Sequence, residues 1–108
     1  MSVADLDATA ALELLDTLED AALGLERAGD RADLAMIHVA FRAAHSLKGS
    51  LGLAGLESAA GLLHAIESTL DGARARTGSL DEVAVDAILE TVSLVRAAVG
   101  SGPVDAPA

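Results

Sequence analysis

His45-Ser46-Leu47-Lys48-Gly49 sets an imidazole and an ammonium about one helical turn apart, with a residue lacking a side chain directly after. His64 and Glu67 repeat the spacing farther along the chain. Imidazole is a nucleophile only when one ring nitrogen is unprotonated and faces outward. A carboxylate that accepts the Nδ1 proton fixes the tautomer and leaves the Nε2 lone pair free, the orienting role an acid plays in a catalytic triad. Glu67 is the candidate for that role. Phosphoryl transfer asks for alignment and for positive charge near the phosphoryl oxygens. Lys48 offers that charge on a long stem suited to an exposed site, and His64 has a hydrogen bond to offer the site or Glu67. The two pairs together read as a phosphorylatable histidine, His45. Gly49 and Gly52 let a bulky partner come close. Arg42 either steers that partner or adds solubility. His38 shares the face of His45 but has no partner in the motif, so it reads as a surface residue.

The elements that must position these groups follow from apolar spacing. Ala11, Leu14, Leu15, Leu18, Ala22 and Leu25 mark a first helix, ended by Gly29 as C-cap, with Asp30 free to cap the next. Ile37, Ala40, Ala44, Leu47 and Leu51 mark a second, broken by Gly52 and Gly55. A third runs from about Leu56 through Leu63, Ile66 and Leu70 to a stop at Thr77-Gly78. Ser79 and Glu82 form a capping-box pattern before a fourth, which carries Val85, Ile88, Val92, Val95 and Val99. Gly100 to Ala108, with Pro103 and Pro107, reads as a tail or linker, so the expected division is a bundle over 1–100 and a tail over 101–108. Four helices of roughly 18–22 residues, each about 30 Å long, joined by short turns, predict an all-α, antiparallel up-down four-helix bundle.

At about 100° per residue, His45 falls roughly 110° from the centre of the second helix's apolar stripe. It lies on the flank, with His38, Arg42, Lys48, Gly49 and Gly52 on the same side. On the third helix His64, Glu67, Asp71 and Arg74 share a face. Packing helices two and three as antiparallel neighbours brings that face beside His45.

Composition bounds the rest. A chain of 108 residues builds one core, not two. Apolar residues make up 52% of it but aromatic residues only 1%, Phe41 alone, so Leu and Ala must fill the core. That favours close-packed helices over a sheet. Cysteine is absent, which removes disulfides and thiolate metal sites. The formal net charge of -10 repels phosphate backbones and anionic lipid, so nucleic acid and membrane surfaces are unsuited partners. The first residues carry no basic segment followed by a long apolar run, and no stretch approaches about 18 uninterrupted apolar residues. A cytoplasmic protein, monomeric as a domain, is the expectation.

The run Phe41 to Gly49, the Gly52/Gly55 turn and His64-Ala65-Ile66-Glu67 followed by Leu70-Asp71 resemble the phosphoacceptor domain of CheA-type chemotaxis histidine kinases, part of the wider histidine phosphotransfer (HPt) class. The clear match covers about residues 37–74. The resemblance implies a phosphorelay carrier. His45 is phosphorylated by a separate ATP-binding kinase domain and hands the group to an aspartate of a response-regulator receiver. Glu67 fixes the tautomer, and Lys48 and His64 belong to the same hydrogen-bonded site. The chain departs from relatives at Ala54, often phenylalanine, and at Ser50, often glycine. Gly49, Gly52 and Gly55 are not followed by the Gly-Lys-Ser/Thr of a phosphate loop, so ATP and Mg²⁺ are expected to come with a partner and the domain is not expected to be an enzyme on its own. Two other readings are a dimetal carboxylate bundle and a helical interaction module that is never phosphorylated. The first needs inward Glu-x-x-His sets on paired helices, whereas here the order is reversed and occurs once.

Overall fold

Alternating steps of three and four residues between apolar positions give each helix one stripe to bury. The structure, a computed structural model, describes residues 7–76 and 80–101. Its helices are α1 (Ala8–Ala28), α2 (Leu34–Leu53), α3 (Glu57–Arg76) and α4 (Glu82–Ser101). The buried stripes are Ala11, Leu15, Leu18, Ala22 and Leu25 on α1, and Ile37, Ala40, Ala44, Leu47 and Leu51 on α2. On α3 they are Ala59, Leu63, Ile66, Leu70 and Ala73, and on α4 Val85, Ile88, Val92, Val95 and Val99. Every stripe keeps the same alternation, so four long helices share one core without any seam drifting off it. Leu14, expected in that core, is only half-buried, because it stands next to Leu15 and so about 100° off the stripe.

α1 packs against α2, α2 against α3, α3 against α4 and α4 back against α1, and the two diagonal pairs make no close backbone approach. Along the α2–α3 seam, contacts join Phe41 to Arg74, His45 to Glu67 and Lys48 to Glu67, so one helix number rises as the other falls. The predicted antiparallel up-down bundle is the observed fold. On the far side, Arg96 of α4 donates to Asp16 at 2.9 Å and to Glu19 at 3.0 Å, tying α4 to α1.

The ends of the helices follow their nearest caps. Asp7 accepts from the Ala10 amide at 3.0 Å. Gly29 ends α1 as expected: its φ is 55°, in the left-handed region, and its amide bonds to the Leu25 carbonyl. A short 3₁₀ turn, Gly29–Arg31, follows, so Asp30 does not start α2. The cap is Asp33, which accepts from the Met36 amide at 3.0 Å. Nor does Gly52 break α2, which runs on through it to Leu53. The stop is a Schellman motif at Gly55, whose φ is 84°. The Gly55 amide bonds to Gly52 O at 3.1 Å and the Leu56 amide to Leu51 O at 2.9 Å. Leu56 is therefore turn, and α3 begins one residue later.

The start of α4 also differs from the capping-box reading. Asp81 accepts from the Ala84 amide at 2.8 Å, which makes Glu82 the first helical residue and not the third. Thr77, Gly78 and Ser79 lie outside the described residues. Gly100 and Ser101 continue α4 rather than opening a tail, since buried Val99 holds the last turn to the core; residues 102–108 lie outside the described residues.

The left-handed backbone at Gly55 predicts that Gly55→Ala lowers stability by about 1–2 kcal/mol. Thermal melting followed by circular dichroism should show a midpoint lower by several degrees; an unchanged midpoint would mean the turn is not held in this conformation.

Candidate functional site

Among the described residues, one charged side chain is buried in the α2–α3 seam. Glu67 is 9% exposed, one turn from buried Leu63 and Leu70, and next to buried Ile66 on the edge of the core stripe. A carboxylate buried there needs partners for both oxygens. His45 Nδ1 meets Oε2 at 2.5 Å, and Lys48 Nζ donates to Oε1 at 2.6 Å. Both partners stand on α2, three residues apart, so one carboxylate on α3 gathers them. His64 Nδ1 is 3.7 Å from Oε1, an ion-pair distance but too long for the expected hydrogen bond.

The imidazole behaves differently from its anchor. The His45 side chain is 64% exposed, as its place on the flank predicts, while the carboxylate that holds it is not. In the neutral ring, an Nδ1–H that donates to Glu67 leaves the lone pair on Nε2. Lys48 is 30% exposed and spends one of its three N–H donors on Glu67. Beside His45 a surface hollow is lined by His38, Phe41, Arg42 and Ser46. Arg42 and Ser46 are shared with a second hollow in the α1–α2 groove, which adds Leu14, Thr17, Val39 and Ala43. His38 and Arg42 are exposed, in agreement with their place on the His45 side of α2.

One contact at this site has no counterpart in the spacing argument. The Arg74 guanidinium carbon lies 4.5 Å over the centroid of the Phe41 ring. The Phe41 ring in turn is nearly parallel to the His45 ring, at an interplanar angle of 7° and a centroid separation of 6.3 Å. Arg74 also pairs with Asp71, one turn back on α3. The signal was present as register. Phe41 precedes Lys48 by seven residues and Arg74 follows Glu67 by seven, so pairing Lys48 with Glu67 across antiparallel helices carries Phe41 onto Arg74.

Three of the seven Lys and Arg residues, Arg42, Lys48 and Arg74, thus surround His45 on a chain of formal charge -10. Lys48 and Arg74 are each paired with a carboxylate, Glu67 and Asp71, and Arg42 adds one further positive charge beside the ring. Among the described residues, no three of His, Cys, Asp and Glu group closely enough to hold a metal ion, and no helix is long and apolar enough to cross a membrane.

Compared with known proteins, the chain matches the Hpt domain family over residues 8–98. It belongs to that family. Over an alignment 67 residues long that covers 58% of the chain, it is 36% identical to the chemotaxis protein CheA of Treponema pallidum (strain Nichols), and the chain spans only 8% of that relative's length. Among solved structures, the CheA phosphotransferase domain from Thermotoga maritima superposes with a TM-score of 0.79 at 34% identity, covering 87% of this chain and 88% of that one. The resemblance drawn from the His45, His64 and Glu67 motifs therefore extends to the whole bundle.

The electrostatics of this Hpt domain have a measurable consequence. The hydrogen bond from Lys48 holds the Glu67 carboxyl below its ordinary value of 4.5. Burial pulls the other way, and the hydrogen bond and charge of His45 add to the lowering. Glu67 therefore stays ionised to lower pH in the folded chain than in the unfolded one. The stability it contributes is complete above about 4.5 and is lost as the pH falls through the lowered folded-state value. Urea denaturation across the acid range should show wild-type stability falling below that pH and Glu67→Gln falling less steeply. Equal slopes would remove Glu67 from the acid transition.

Proposed function

We propose that this Hpt domain is a phosphorelay carrier of the chemotaxis-kinase kind, with His45 as its phosphoacceptor. The observation that carries the reading is the 2.5 Å contact of His45 Nδ1 with buried Glu67 beneath an exposed ring. In the first step the Nε2 lone pair attacks the γ-phosphorus of ATP held by a separate kinase domain. The new N–P bond forms as the bond from phosphorus to the bridging oxygen breaks, and ADP leaves. The Nδ1 proton stays on the ring, where the Glu67 carboxylate balances the positive charge that the phosphorylated imidazole acquires. In the second step a receiver aspartate attacks phosphorus, the N–P bond breaks, and the neutral ring is restored. Mg²⁺ enters with ATP or with the receiver's acidic pocket, and the two free donors of Lys48 face the incoming phosphoryl oxygens. This chain supplies the nucleophile and its orientation; the nucleotide site belongs to the partner.

The surface around His45 supports a partner's close approach. A Cβ added at Gly49 or Gly52 meets no atom within 4 Å, so nothing inside the domain requires glycine at either position. Gly49 nonetheless stands inside α2, where glycine costs up to about 1 kcal/mol relative to alanine. A bare backbone there makes sense for an active site that must reach Nε2. Arg42, exposed between the two hollows, faces the same approach and complements an acidic receiver pocket or a nucleotide phosphate.

Incubation with a cognate kinase domain and radiolabelled ATP should give acid-labile, base-stable label on the wild-type domain and none on His45→Gln; equal labelling of both would overturn the assignment. In the same assay Glu67→Ala should slow labelling by roughly tenfold or more while leaving the helical spectrum intact. Gly49→Ala should raise the stability of the isolated domain by about 0.5–1 kcal/mol and slow transfer from the kinase. A variant more stable and equally fast would show that no partner uses the open space.

A further inference from the structure

A hydrogen bond at Nδ1 restrains one atom of an imidazole but does not by itself hold the plane of the ring, and a ring that tilts turns its N–H away from the acceptor. The His45 side chain, 64% exposed, has few neighbours to stop it. The direction of Nε2 therefore needs a second restraint, one acting on the plane of the ring. Phe41 provides it. Its ring lies one turn earlier on α2, within 7° of parallel to the imidazole and 6.3 Å from it, inside the range of offset aromatic stacking. Phe41 is itself only half-buried and is the sole aromatic residue in the chain, so no other ring holds it. One side of it packs against the core, and Arg74 caps the ring, its guanidinium 4.5 Å from the centroid, well within cation–π distance. Asp71 pairs with Arg74 from one turn away on the same helix. No hydrogen bond joins Arg74 to His45; the two communicate through the aromatic ring.

We propose that Phe41 and Arg74 are positioning residues for His45. α3 grips the imidazole twice: directly, through Glu67 at Nδ1, and indirectly, through Arg74 and the Phe41 plane. Together the two grips set where Nε2 points and favour the Nδ1–H tautomer, because a ring that leaves the stacked plane also leaves the Glu67 contact. The proposal rests on the reading of His45 as the phosphoacceptor for its kinetic part but not for its structural part.

The test pairs an ¹⁵N NMR measurement of the His45 tautomer in the unphosphorylated domain with steady-state phosphorylation by a kinase domain, in wild type, Phe41→Leu, Phe41→Tyr and Arg74→Ala. Melting curves identify variants that remain folded, and Phe41→Tyr keeps the ring if Phe41→Leu weakens the bundle. Phe41→Leu and Arg74→Ala should lower the Nδ1–H fraction and cut kcat about tenfold with KM unchanged, less than a full ångström of misplacement costs. Phe41→Tyr should preserve both readouts. Folded variants with the wild-type tautomer ratio and kcat would overturn the proposal. So would a raised KM with intact kcat, which would make Arg74 a docking residue. A wild-type domain that takes no label at His45 overturns the phosphoacceptor reading instead, while the tautomer comparison still decides the positioning one.

Discussion

The site depends on one buried carboxylate shared between two helices. Glu67 belongs to α3, yet both of its close partners, His45 and Lys48, belong to α2. A charge taken out of water is tolerated only when its lone pairs are filled. That requirement turns a chemical need into a structural one. Sliding α3 by one residue rotates its side chains by about 100° and carries the carboxylate away from both partners. The Schellman turn at Gly55 and the unbroken three-four alternation of the buried stripes keep the register that the carboxylate needs. Core packing and site geometry are thus one constraint, because Glu67 sits beside Ile66 and between Leu63 and Leu70 on the same face of α3.

The division of burial between the two members of the pair carries the chemistry. The acid is enclosed, which keeps water from competing for its oxygens and fixes its direction. The imidazole is open, which lets a large partner reach the far nitrogen. Reversing the two would give either a nucleophile no partner could touch or an orienting acid loosened by solvent. Arg42, Lys48 and Arg74, three of the chain's seven Lys and Arg residues, gather near His45 on a chain of formal charge -10.

Much of this was legible in the residues, for a reason particular to helices. Periodicity is local, so the stripes of α1 to α4 and the flank position of His45 follow from the order of side chains alone. The His45–Glu67 pair follows once two neighbouring helices are antiparallel. What escaped was competition between near-equivalent residues. Asp30 and Asp33 are both good caps, and Asp33 wins because a 3₁₀ turn consumes the first. Gly52 and Gly55 both permit a turn, but only Gly55 takes the left-handed backbone, and residue type does not say which will. Asp81 displaces the Ser79–Glu82 box in the same way. The Phe41–Arg74 stack needed more than type or spacing; it appears only when the register set by Glu67 is carried two turns along both helices. His64 shows the limit of sharing a face: of the two partners open to it, the site or Glu67, its ring stands 3.7 Å from the carboxylate, within ion-pair but not hydrogen-bond distance.

The central claim is that Glu67 occupies Nδ1 so that Nε2 of His45 is the atom that carries phosphorus. ¹⁵N–³¹P correlation on the phosphorylated, ¹⁵N-histidine-labelled domain reads this directly. The account predicts a single phosphohistidine with phosphorus bonded to Nε2 of His45 and a proton retained on Nδ1. Phosphorus bonded to Nδ1 of His45, or to a nitrogen of His38 or His64, would contradict it.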